Sequence, residues 1–181
     1  MDSRARMRHK VRMKLSLTLM LFGFLFAGAA QAQDNAGLFF YGPPPTVETI
    51  TRLAGEATVT SNLVESVTRV TVAWPDVTLI IHIDPVWRRD EALASIRDTL
   101  AELPAREQHK PAVREFLANL ERTQVCLGSL IDPGYDREGR VAAFLTRLIA
   151  TTGGYLFTYQ SFYSADGKRI AGVPGDPESL K

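Results

Sequence analysis

Apolar positions along this chain switch between a period of two and a period near 3.6, and the switches divide it into elements. From Val67 to Asp84 the period is two. Val70, Val72 and Trp74 fall on one face, with Arg69 and Thr71 opposite. Beyond Trp74-Pro75-Asp76, the residues Val77, Leu79, Ile81 and Ile83 share a face. Thr78, His82 and Asp84 occupy the other, interrupted by Ile80. This pattern predicts an antiparallel hairpin with one wetter face. Pro75 belongs in its turn, where it sets φ and removes no ladder bond. The hairpin is the densest β-branched stretch of the chain, so it is expected to be the central pair of the sheet, with Val70, Val72, Leu79 and Ile81 in the core.

On the N-terminal side, Leu38-Phe39-Phe40-Tyr41 reads as a buried strand stopped by Gly42-Pro43-Pro44-Pro45. Residues 33–37 are polar and expected to be loose. Val47, Ile50, Leu53 and Ala54 recur at helical spacing, and Gly55 ends the run. Residues 57–62 suit a short strand or an extended link. On the C-terminal side, Leu93, Ile96, Leu100 and Leu103 form a helical stripe ended by Pro104. A polar linker, 105–110, leads to a helix opened by Pro111, with Val113, Phe116, Leu117 and Leu120 as its apolar stripe. Val125 to Ile131 is a strand closed by Asp132-Pro133-Gly134. Val141, Phe144, Leu145, Leu148 and Ile149 make the cleanest amphipathic helix, capped by Gly153-Gly154. An aromatic strand from Tyr155, an Asp166-Gly167 turn and a return strand at 169–173 close the fold.

In order this is β-α-(β)-β-β, two helices, then β-α-β-β. It predicts an α+β fold: a mainly antiparallel sheet with helices packed on one face. A ferredoxin-like arrangement and a doubled β-α-β-β are the nearest topologies.

The first 32 residues stand apart from that pattern. Arg4, Arg6, Arg8, Lys10, Arg12 and Lys14 precede an apolar run, Leu15 to Ala29, and a small-residue site, Ala30-Gln31-Ala32. Basic, apolar, small is the order of a secretory signal peptide. The apolar run is shorter than the ~20 residues of a membrane-spanning helix. The expected organisation is a signal peptide at 1–32 and a single domain at 33–181, with a loose polar tail from about 174. Met13 opens a complete signal by itself, so Met1, Met7 and Met13 all qualify as starts. Localisation is therefore expected to be periplasmic or secreted, in a bacterial cell, with no stable membrane insertion after cleavage.

Charge follows from this division. Six of the 21 Lys and Arg residues, but only one of the 20 acids, lie before residue 33. The remaining domain has a small acidic excess, which gives no electrostatic argument for nucleic acid. Cys126 is the single cysteine, so no internal disulfide is possible. It sits in an apolar run and reads as a buried core residue.

Candidate chemistry is sparse. His82 and Asp84 share a strand face two residues apart, a spacing that can orient an imidazole or begin a metal site. No HxxxH, HExxH or Cys/His cluster accompanies them, and no GxSxG elbow is present. A Cys126–His82–Asp84 set is conceivable from neighbouring strands, but a thiol in an apolar strand argues against it. Asp132, Asp136 and Glu138 lie in a loop without the spacing of a calcium-binding EF-hand. Trp87 and Arg88 follow the hairpin, a pairing common in binding hot spots. The aromatics Tyr155, Phe157, Tyr159, Phe162 and Tyr163 suit cross-strand packing better than a ligand groove.

The sequence therefore points to a small exported α+β domain, a non-catalytic periplasmic binding or accessory protein. Its ligand-contact candidates are His82, Asp84, Trp87 and Arg88, its partner is an unidentified protein or small molecule, and no metal or cofactor is expected. The competing reading is a small hydrolase or metal-assisted enzyme centred on His82 and Asp84.

Overall fold

The structure is a computed structural model, and it describes residues 34–83, 89–132, 138–173 and 175–180. These belong to the compact unit Ala32–Lys181. The proposed signal segment lies outside the described residues.

Eight strands form one sheet in the order β2-β3-β4-β5-β1-β6-β7-β8, with every neighbouring pair antiparallel. They are β1 (Asp34–Phe40), β2 (Thr58–Val64), β3 (Val67–Ala73), β4 (Thr78–Ile83), β5 (Val125–Asp132), β6 (Gly154–Thr158), β7 (Ser161–Ser164) and β8 (Arg169–Gly172). Among the described residues the helices are α1 (Val47–Ala54), α2 (Arg89–Ala101), α3 (Ala105–Gln108), α4 (Pro111–Asn119) and α5 (Arg140–Ala150), with a 3₁₀ turn at Leu120–Arg122. The expected α+β class with an antiparallel sheet is the one adopted.

The strands at the centre are β1 and β5, paired from Asp34↔Ile131 to Phe40↔Val125. The Val67–Ile83 hairpin lies to one side of them, not at the centre. Residues 34–37, expected to be loose, form the first half of β1. Asn35, Ala36 and Gly37 carry little apolar surface, so local pattern cannot mark them as strand. Their order comes from the ladder that β5 provides.

Alternation along β1 sends Leu38 and Phe40 to one face and Phe39 to the other, and each side has its own core. The first core gathers α1 and α5 over the sheet from the hairpin to β7: Ile50, Phe144, Leu145, Leu148 and Ile149 join Val70, Val72, Leu79 and Ile81, all shielded from solvent. At its edge Trp74 meets Phe144 edge-on at 5.6 Å, and Asp76 in the same turn accepts from Arg140 at 2.5 Å. The second core lies under α2 and α4, whose Leu93, Ile96, Leu100, Val113 and Phe116 meet Phe39, Cys126, Tyr155, Phe162 and Ala171. Helices therefore cover both faces, not the single face expected. A run such as Leu38-Phe39-Phe40, apolar at consecutive positions, requires that arrangement.

Aromatic packing organises the second core. Tyr155 stacks on Phe39 at 4.7 Å, takes Phe116 edge-on at 4.5 Å, and shares a 2.9 Å hydrogen bond with the Thr123 hydroxyl. Arg89, at the start of α2, donates to the carbonyls of Thr123 (2.6 Å) and Glu121 (2.9 Å), tying the helical layer to the entry of β5. Leu117, expected in the α4 stripe, is instead 40% exposed. The expected linker at 105–110 contains the short helix α3.

The tail, expected to be loose from 174, is anchored among its described residues. Ser161 donates to Asp176 (2.5 Å), Tyr163 to the Pro177 carbonyl (3.1 Å), and the Leu180 amide to Gly167 (2.8 Å). Leu180 is buried in the first core. Burial, with the carboxylate of Asp176 nearby, pushes the Tyr163 hydroxyl up to about 12.

Two glycines give a contrasting test of this packing. Gly154 has φ of +143°, and a Cβ there would stand 1.9 Å from the Phe39 carbonyl oxygen. Gly128 has open space where its Cβ would lie. Gly154→Ala is expected to lower unfolding free energy by about 2–3 kcal/mol. Gly128→Ala should stay within about 1 kcal/mol of the parent. Urea titrations of the two variants check the difference.

Candidate functional site

Of the sequence-derived candidates His82, Asp84, Trp87 and Arg88, only His82 lies among the described residues. Asp84, Trp87 and Arg88 fall in the segment 84–88, outside them. The pairing of His82 with Asp84 therefore has no geometry here.

His82 is set by register. The amide of Trp74 donates to the Val77 carbonyl at 2.9 Å and closes the β3–β4 turn. Counting back along the ladder from Ala73↔Thr78 places Arg69 opposite His82. On its other side His82 faces Gly128 of β5. Residues directly opposite in a ladder share a face, so Arg69, His82 and Gly128 form one row, with Asn62 of β2 beyond Arg69. The next row is Thr60, Thr71, Ile80, Leu130 and Asn35, and a third is Thr58, Ala73, Thr78 and Asp132.

These rows lie on the face that α2 and α4 cover elsewhere. Among the described residues, none from β2, β3 or β4 joins the core beneath those two helices. Thr58, Thr60, Asn62 and Arg69 are exposed, while Thr71, Thr78, His82 and Leu130 are half-buried. The floor combines the buried Ile80 and the half-buried Leu130 with the flat stretch at Gly128, where nothing lies within 4 Å of a Cβ placed there. Around it stand four threonine hydroxyls, those of Thr58, Thr60, Thr71 and Thr78, with the Asn62 amide, an imidazole and a guanidinium. Such a floor can accept a flat apolar group while the rim donates and accepts hydrogen bonds.

His82 is half-buried, and burial is the main reason its pKa falls below the ordinary 6.5; the positive charge of Arg69 adds to the effect. The imidazole at this site is therefore held neutral at neutral pH, able both to donate and to accept.

Cys126 shares the face of His82 on the neighbouring strand but is wholly enclosed in the second core. This burial removes the thiol from any substrate and excludes the Cys126–His82–Asp84 nucleophile set. In the acidic loop, Asp136 lies outside the described residues and Glu138 is ion-paired with Arg140. Among the described residues no three of His, Cys, Asp or Glu gather where a metal ion could sit. The aromatic residues 155–163 mostly serve packing. Tyr155, Phe157 and Phe162 build the second core, Tyr163 the first, and only Tyr159 is exposed.

Arg69, Thr71, Ile80, Gly128 and Leu130 were not singled out from sequence. The hairpin alternation does place Arg69 and Thr71 on the face of His82. The contribution of β5 depends on a long-range pairing that no local pattern reveals. Comparison with family models, curated proteins and solved structures finds no match for this chain.

A depressed histidine pKa has a definite sign in stability. Below pH 6.5 the unfolded chain takes up a proton that folded His82 resists, so stability is retained above 6.5 and lost as pH falls toward the folded pKa. Chemical denaturation between pH 7.5 and 5 is expected to show this loss. It should shrink in His82→Gln, and an unchanged profile in that variant would remove His82 as its source.

Proposed function

We propose that this chain is an exported, non-catalytic binding or accessory protein whose ligand face is the uncovered half of the sheet around His82. One observation carries the reading: among the described residues, the core beneath α2 and α4 takes in the β5–β8 half of this face and no residue of β2, β3 or β4, where Thr58, Thr60, Asn62 and Arg69 are exposed and Thr71, His82, Gly128 and Leu130 half-buried. A sheet face that the described helices leave outside their core is a candidate surface for a ligand or partner. Its composition favours a protein surface or small molecule that offers one flat apolar group and hydrogen-bonding groups around it. The basic-apolar-small order of residues 1–32 supports export, and cleavage after Ala32 would release the domain into the periplasm or medium. No helix among the described residues is long and apolar enough to cross a membrane.

Two measurements test this. The intact mass of the protein recovered from its host should correspond to a chain beginning at Gln33; retention of residues 1–32 would overturn the export reading. A photo-crosslinking residue at Thr71 should capture a ligand or partner in the same compartment, and the same residue at exposed Glu48 of α1 should not. Gly128→Phe fills the floor from a position with room for a side chain, and should cut the Thr71 capture at least tenfold. Equal capture from both positions, or capture indifferent to Gly128→Phe, would place the binding surface elsewhere.

A further inference from the structure

The two edges of the sheet are treated differently. The β8 edge is short, four residues, and its own chain closes it: the Arg169 amide donates to Glu178 at 3.0 Å, Lys168 bridges Ser179, and Arg169 ion-pairs with Glu178. The β2 edge is seven residues long and almost wholly exposed. It carries no charge and no proline, the usual devices that keep an edge strand from pairing. Leu63, 72% exposed, is the most exposed large apolar residue described, and Val64 beside it is 46% exposed.

The polar groups on this edge follow from its turn. Glu65 and Ser66 have φ of 47° and 72° and make a two-residue hairpin loop between Val64 and Val67. Such a loop is closed by a hydrogen-bonded pair, so Val64, Asn62, Thr60 and Thr58 turn their N–H and C=O groups toward β3. Val59, Ser61 and Leu63 turn theirs outward, to the free edge.

We propose that the β2 edge pairs with the β2 edge of a second copy of this chain, antiparallel about a two-fold axis at Ser61. The strand is symmetric in character about that residue. Val59 and Leu63 lie two positions on either side, on the face of the first core, and Thr60 and Asn62 lie one position on either side, on the other face. The axis sets Ser61 opposite Ser61 of the second copy and Val59 opposite Leu63. Those are the three residues whose backbone groups are free to pair, so all seven residues join one ladder with no group out of register. Leu63 then covers Val59, which already packs at the margin of the first core. No like charges meet, because residues 58–64 are uncharged. A two-fold interface needs a patch complementary to itself, and this strand has that property where an unrelated peptide would have to be matched to it.

The test uses the chain as purified from its host. Sedimentation should show a concentration-dependent monomer–dimer equilibrium. In a hydrogen-bonded antiparallel pair the opposed Cα atoms are ~5.5 Å apart, within disulfide range. Ser61→Cys should therefore form an intermolecular disulfide under mild oxidation, and Thr60→Cys should not. Leu63→Lys and Ser61→Pro should each weaken the dimer at least tenfold. Proline at 61 removes only an outward N–H, so the β2–β3 ladder should survive and circular dichroism should be unchanged. A monomer at all concentrations, with Ser61→Cys also monomeric, would overturn the proposal. So would a dimer that persists in both Leu63→Lys and Ser61→Pro, since it would use another surface.

Discussion

The pairing of β1 with β5 is the constraint on which the rest of this molecule depends. Its seven residue pairs join the hairpin half of the sheet to the C-terminal half. Both cores grow from it, because β1 sends Leu38 and Phe40 into one and Phe39 into the other. The pairing is long in sequence and has little local support: Gly37 lies opposite Gly128, and neither contributes a side chain. What holds the strands in register is burial on both sides, where a one-residue slip would exchange the Leu38 and Phe39 environments and break both cores.

The two helical layers differ in extent for a reason visible in their anchoring. The layer of α1 and α5 reaches the hairpin because Trp74 and Asp76 in the β3–β4 turn are held by Phe144 and Arg140 of α5. The layer of α2 and α4 is tied down at the other half, through Arg89 to the carbonyls before β5 and through Phe116 to the aromatic cluster around Tyr155. Among the described residues nothing comparable draws it toward β2 and β3, whose residues on that side are mostly polar. The open half-face is thus a product of where the anchoring residues sit.

Much of the local structure was legible in the sequence. The 3.6 period marked α1, α2, α4 and α5, and the alternation in 67–83 marked the hairpin and its four core residues. What stayed hidden depended on contacts distant along the chain. Residues 34–37 become strand only beside β5. The β-branched density of 67–83 suggested the centre of the sheet, yet central position is set by strand order, which periodicity does not encode. The anchored tail rests on hydrogen bonds from polar residues that look like a frayed end when read alone. The site was legible only in part: His82 was singled out for its chemistry, and the alternation placed Arg69 and Thr71 beside it. Gly128 and Leu130 arrive from β5 through the same non-local ladder.

The tail fastened along β8 also sets a limit on growth. An antiparallel sheet extends into a fibre only if each molecule offers two open edges, one to accept and one to pass on. Here the segment from Gly175 to Leu180 occupies the far end, fixed through Gly167, Arg169, Ser161 and Tyr163. Any strand added at β2 meets a molecule whose opposite end is already closed. Residues 175–180 therefore stand as a terminator: pairing at the β2 edge would be confined to a finite particle and would not propagate across the sheet.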